Sequence, residues 1–185
     1  MGELIATAPA LCEQVRENGE EAHALRVCFV CTGNTCRSPM AAAVTNAWAR
    51  EELERTFPAS FADALTPRVI AESRGLFASD GEPISKHAKK ALELAEIRPV
   101  TDADYRKHTA KTLAEDEIEN FDWLIAISDR HAMELLLRFP SAAAKIICMP
   151  APIADPWGGD LQRYRGCLAE IMAGVAQLLF EKESK

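Results

Sequence analysis

Residues 26–31, RVCFVC, run without a spacer into CTGNTCRSP and then into an alanine-rich stretch. A short apolar run that meets a glycine-bearing turn reads as a buried strand. Ser38 and Pro39 mark a helix start, because proline suits the first helical position. Met40, Val44, Ala47 and Trp48 then recur at helical spacing and should face a core. A strand feeding a helix through so short a bend constrains the whole chain, because it belongs to an architecture in which such units repeat.

They do repeat. Residues 68–73 are a second strand candidate ending at Gly75, and residues 85–95 are helical until Arg98-Pro99 stops them. Residues 115–120 predict a short polar helix leading into a third buried strand at 122–127. Ser128 or Asp129 caps the next helix, which is expected to turn Met133, Leu136 and Leu137 inward. Residues 145–149 make the fourth strand. After ADPWGGD comes a long amphipathic helix with Tyr164, Leu168, Ile171, Met172, Val175 and Leu178 or Leu179 on its apolar face. Apolar strands alternating with helices predict an α/β fold, a four-stranded parallel sheet with helices on both faces. At 185 residues the chain suits one core, placed at residues 26–182, with residues 1–25 as an N-terminal helical extension.

A formal net charge of −7 argues against bulk electrostatic binding of nucleic acid or an anionic membrane, so any anion site must be a local positive pocket. No apolar run reaches membrane-spanning length. The N-terminus lacks the basic start of a signal peptide, and Ala6 stands where a myristoylation signal wants Ser or Thr. Six cysteines in a chain of this size do not make a secreted disulfide scaffold, so a reducing cytoplasm is expected.

The bend itself admits three readings: a metal or disulfide site, an anion cradle, or an ordinary strand-to-helix turn. Cys28, Cys31 and Cys36 lack the second Cys-x-x-Cys or spaced His pair that zinc wants, and no metal is expected. The cradle fits better. Ligands in parallel sheets bind beyond the carboxyl ends of strands. There, Gly33 and Asn34 can take unusual backbone angles that turn N–H groups inward. A helix start adds its positive end, and Arg37 adds a planar charged fork suited to two phosphate oxygens. Such surroundings favour the thiolate of a cysteine at their centre, which makes Cys31 a nucleophile candidate. A cysteine, five residues and an arginine thus describe a phosphoryl-transfer site.

The combination of CTGNTCR at 31–37, Ser38-Pro39 and the distant Asp155-Pro156 resembles the low-molecular-weight protein tyrosine phosphatases, over about residues 26–180. The resemblance implies that family's Rossmann-like fold and a cysteinyl-phosphate mechanism. Cys31 would attack, and Arg37 with Thr32, Gly33, Asn34, Thr35 and Cys36 would hold the phosphoryl oxygens. Asp155 would protonate the leaving group and then activate water. It also implies that Ser38 bonds the thiolate, that Asn34 braces the loop and that His108 supports Asn34. Phosphorylated proteins would be the substrates, no cofactor would be needed, and a monomer is expected.

Two details resemble the bacterial branch acting on phosphoarginine: Thr35, where tyrosine-directed members usually carry a larger aliphatic residue, and DPWGG at 155–159. Paired glycines would slim the rim, and Trp157 would stand there to stack on a substrate. The competing readings are a tyrosine phosphatase, an arsenate reductase and a non-catalytic anion binder. The reductase is disfavoured by the lack of cysteines between residues 108 and 129, the binder by the presence of Asp155. Arg74 departs from the family, which places a small residue between Ser73 and Gly75; it would point outward or add charge beside the pocket. Cys36, in the same loop as Cys31, would either trap an oxidised Cys31 as a reversible disulfide or pack beneath the loop. His23, His87 and His131 are expected at the solvent, and Trp48 and Trp123 in the core. The acidic run at 115–119 is expected to be a solvated face.

Overall fold

The computed structural model describes residues 24–57 and 66–180. The expected extension at 1–25 therefore lies outside the described residues, apart from its last two, of which Leu25 opens the first strand.

Strands β1 (Leu25–Cys31), β2 (Val69–Gly75), β3 (Trp123–Ala126) and β4 (Ile146–Cys148) form one sheet in the order β2-β1-β3-β4, every pairing parallel. The chain leaves β1 for β2 on one side and returns to β3 on the other. That reversal opens a crevice at the carboxyl end of β1, where parallel sheets bind ligands.

The helices are α1 (Arg37–Thr56), α2 (Lys86–Leu94), α3 (Asp129–Arg138) and α4 (Leu161–Val175), the last continuing as a π-helical turn, Ala176–Phe180. Side chains along a strand point alternately to its two faces. Val27, Phe29 and Cys31 therefore enter one buried cluster, with Met40 and Val44 of α1, Leu92 of α2 and Ile171 of α4. Cys28 and Val30 enter the other, with Leu135 of α3, Ile118 and Phe121. Phe29 is fully buried, worth about 2–3 kcal/mol of transfer free energy. Ser85 caps α2 by accepting from Ala88 N at 3.2 Å, and Asp160 caps α4 by accepting from Arg163 N at 3.0 Å.

Three local expectations change. Helix α1 begins at Arg37, so Pro39 is its third residue, still within the first turn whose N–H groups need no helical acceptor. Helix α3 buries His131, Ala132 and Leu135, leaving Met133 and Leu137 exposed and Leu136 partly covered. Its inward face is rotated so that Ala132 and Leu135 enter the core and His131, expected at the solvent, bonds to the loop after β1. Trp123 is buried as expected, whereas Trp48 is only half-buried, edge-on to Phe180.

Candidate active site

The seven residues from Cys31 to Arg37 wrap around a cavity of about 280 Å³ at the crevice. Cys31, Thr32, Gly33, Thr35, Cys36 and Arg37 line it from the loop, and Ser79, Glu82, Asp155 and Trp157 complete its rim. The loop can turn this tightly because Asn34 adopts a left-handed backbone, φ 55°, which asparagine tolerates better than most residues. Gly33, expected to share that task, keeps a negative φ.

Asn34 is fully buried, and both polar groups of its side chain are used. Nδ2 donates to Ser38 Oγ at 3.0 Å and to Ser73 Oγ at 2.9 Å, while Oδ1 accepts from Lys111 N at 2.9 Å. Its carbonyl lies 2.8 Å from His108 Nε2. A carbonyl only accepts, so Nε2 of His108 carries the proton. Burial lowers the pKa of His108, partly offset by that bond, and favours the neutral ring. Both supporting roles expected of Asn34 and His108 thus have their geometry.

Ser38 Oγ stands 2.9 Å from Cys31 Sγ and 3.3 Å from the Arg74 carbonyl. Because Asn34 donates to the Ser38 oxygen, the hydroxyl proton is free to go to a sulfur anion or to that carbonyl. Gly75 lets β2 approach the loop: a Cβ there would lie 2.7 Å from the Thr32 carbonyl. The N–H groups of Leu76 and Phe77 bond the carbonyls of Cys31 and Thr32, each at 2.9 Å.

Arg37 is buried and its Nη2 donates to Asp155 Oδ2 at 2.7 Å, while Asp155 Oδ1 accepts from Trp157 N at 3.1 Å. The loop after β4 thereby sets a carboxyl group beside the guanidinium. The glycines that follow have backbone reasons of their own. Gly158 sits at φ 74°, and a Cβ on Gly159 would lie 3.0 Å from the Pro156 carbonyl. Trp157 is 77% exposed, free to meet a substrate rather than anchored in the core.

Arg74 neither points outward nor adds free charge to the pocket. It is 7% exposed, and Nη2 donates to Glu117 Oε1 at 2.8 Å and Glu72 Oε2 at 3.0 Å. Burial works against its charge, but these carboxylates outweigh that and raise its pKa. Glu117, expected on a solvated face, is thus a structural partner. Cys28 faces away from Cys31, and burial raises its pKa strongly. Among the described residues, no three His, Cys, Asp or Glu side chains form a metal-binding group. Cys36 Sγ lies 3.3 Å from the Tyr164 hydroxyl of α4. Burial, then that bond, pushes Tyr164 up to about 12.

The sequence reading missed Ser73, Ser79, Glu82, Ser128, His131 and Tyr164 around the site. Ser73 stands beside Arg74 in the family's serine–small–glycine pattern; the others come from segments whose approach to the loop has no local signal. The arrangement offers a sulfur, a hydroxyl beside it, a buried guanidinium and an adjacent carboxyl group, a set of the kind that suits attack on an anionic ester or phosphoramidate.

Comparison with known proteins agrees with this geometry. The model of the low molecular weight phosphotyrosine protein phosphatases matches residues 26–185. A protein-arginine-phosphatase of Geobacillus stearothermophilus is 31% identical over 160 residues, covering 83% of this chain and 93% of that protein. The low molecular weight protein-tyrosine-phosphatase PtpB of Staphylococcus haemolyticus is 24% identical over 159 residues, covering 83% and 97%. Among solved structures, a cysteine-to-serine mutant of the YwlE arginine phosphatase with a phosphorylated active-site serine superposes with a TM-score of 0.69, at 27% identity. It covers 83% of this chain and 93% of that one. The chain belongs to the low molecular weight phosphotyrosine protein phosphatase family, hydrolases that work through a cysteine.

Proposed function

We propose that this protein removes phosphate from phosphoarginine side chains of proteins through a cysteinyl-phosphate intermediate. Cys31 attacks phosphorus, and Arg37 with the N–H groups of residues 32–37 holds the equatorial oxygens. Ser38 donates to the sulfur when it leaves as a thiolate. Asp155, protonated for the first step, delivers its proton to the departing guanidine nitrogen. In the second step it takes a proton from the water that releases phosphate. Arg37 lies in hydrogen-bond contact with Asp155, so anion binder and acid work side by side.

The observation that carries the substrate choice is Thr35, a short polar residue in the wall of the cavity that Cys31 also lines. It leaves room for a branched, polar guanidine. Glu82 and Asp155 add carboxyl groups at the rim, suited to the N–H groups of that leaving group. The relative named as an arginine phosphatase supports the same reading, and the phosphorylated serine of the solved mutant supports Cys31 as nucleophile. Phosphotyrosine is the second reading, favoured by the exposed Trp157, on which an aromatic ring can stack.

Initial rates of phosphate release from matched phosphoarginine and phosphotyrosine peptides test the choice, with Cys31→Ser as blank. A preference for phosphoarginine that Thr35→Ile reverses is the expected result. A wild-type preference for phosphotyrosine keeps the mechanism and discards the substrate.

A further inference from the structure

His131 reaches the loop from the first turn of α3 and is 4% exposed. Its Nε2 lies 2.9 Å from Thr32 Oγ1, and its Nδ1 lies 2.8 Å from Ser128 Oγ. A neutral imidazole has one N–H and one bare nitrogen, whereas each hydroxyl can donate or accept. Two proton arrangements satisfy this chain. In the first, Nδ1–H donates to Ser128 and Nε2 accepts the Thr32 proton, which is then unavailable to a ligand. In the second, the Ser128 hydroxyl donates to Nδ1 and Nε2–H donates to Thr32 Oγ1. The Thr32 proton is then free to turn toward the cavity that Thr32 lines.

The surroundings hold the ring neutral. Burial is the largest cause, and the charges of Arg37 on α1 and Arg130 on α3 act in the same direction. Asp155, after β4, opposes them; the balance is a pKa near 4.

We infer that Ser128, His131 and Thr32 form a hydroxyl–imidazole–hydroxyl relay that points the Thr32 O–H at an anion held in the loop. His131 is a positioning residue whose tautomer follows occupancy. This inference rests on the reading of the cavity as a phosphate site. An unprotonated phosphoryl oxygen only accepts, so it selects the second arrangement. The ring proton changes nitrogen by exchange with water, and the protein gains or loses none. Neither His131 nor Ser128 is among the residues lining the cavity. Their effect passes through Thr32, so they should matter only while Thr32 has a hydroxyl.

A double-mutant cycle on the full chain, read as the dissociation constant of inorganic phosphate, tests this. Thr32→Val and His131→Phe should each weaken phosphate binding about tenfold, the order expected for one hydrogen bond to a charged group. His131→Phe added to Thr32→Val should change it less than about twofold. His131→Gln, which returns an N–H near the position of Nε2, should recover part of the loss. The ¹⁵N signals of His131 should move from the Nδ1–H to the Nε2–H pattern when phosphate is added. An equal loss from His131→Phe with or without the Thr32 hydroxyl overturns the relay, as does a ring tautomer indifferent to phosphate. Should His131→Phe fail to fold, Ser128→Ala takes its place, with a smaller loss that vanishes beside Thr32→Val; an additive loss again overturns the relay. Absence of phosphate binding to the wild-type loop would instead refute the cavity reading beneath it.

Discussion

Replacing Asn34 with alanine removes three side-chain hydrogen bonds from a fully buried position, those to Ser38, Ser73 and Lys111. The two serine oxygens each lose a donor but keep a hydroxyl proton to give elsewhere, at about 1 kcal/mol for each lost bond. The Lys111 N–H cannot rotate, and stranding it costs about 1–3 kcal/mol. The lost bonds alone should therefore destabilise Asn34→Ala by about 3–5 kcal/mol. Asn34→Gly loses the same bonds but suits the left-handed φ of 55°, where alanine is strained by about 1–2 kcal/mol. Glycine's greater freedom in the unfolded chain offsets about 0.5–1 kcal/mol of that. The glycine variant should therefore emerge as the more stable by up to about 1.5 kcal/mol. Both should lose about a hundredfold in kcat/KM, because the loop amides are no longer fixed. Urea unfolding and initial rates of phosphate release measure the two effects. A loss under 1 kcal/mol for Asn34→Ala with an unchanged rate would show that these bonds do not hold the loop.

Other perturbations test separate parts of the site. Gly75→Ala drives a methyl against the Thr32 carbonyl and should cost about 1–3 kcal/mol, with a clear drop in kcat; wild-type thermal stability in this variant would contradict the close approach. The Arg74 bond holds Glu117 below its ordinary value of 4.5, so the stabilisation it brings is complete above that pH and fades as the pH falls through the lowered value. Glu117→Gln should flatten the acid limb of the stability–pH curve below about pH 4.5, and an unchanged limb would exclude this pair as its source. Enzyme inactivated by peroxide should regain activity with dithiothreitol, and Cys36→Ser should regain much less; equal recovery would assign Cys36 to packing alone.

Much of this was legible because β1 and its loop carry strong local signals. An apolar run, a left-handed asparagine and a Ser-Pro helix start act within a dozen residues, so the element, the turn and the sulfur follow from the chain itself. The sheet was equally legible, since buried parallel strands read as unbroken apolar runs at residues 27–30 and 123–126. Helix α3 was not. Met133, Leu136 and Leu137 and the set of Ala132, Leu135 and Leu136 are both helical stripes, and periodicity does not choose between them. A histidine's bond to Thr32, 99 residues away in sequence, decides it. Arg74 was misread for a similar reason, because its partner Glu117 lies 43 residues on. Glu82 and Ser79 reach the cavity rim through loop geometry that has no sequence pattern.

The alternation of β1 has a consequence for how this chain can vary. Cys31 faces the cluster of Val27 and Phe29 because it lies an even number of positions beyond each. An inserted or deleted residue within β1 changes that parity. It would send either the sulfur or the two core side chains to the wrong face, even with every other contact intact. Length changes in this strand are therefore tolerable only in pairs. A single-residue indel there should abolish the site while a two-residue one should merely shift it, which makes parity along the strand, rather than residue identity, the stricter condition on the position of Cys31.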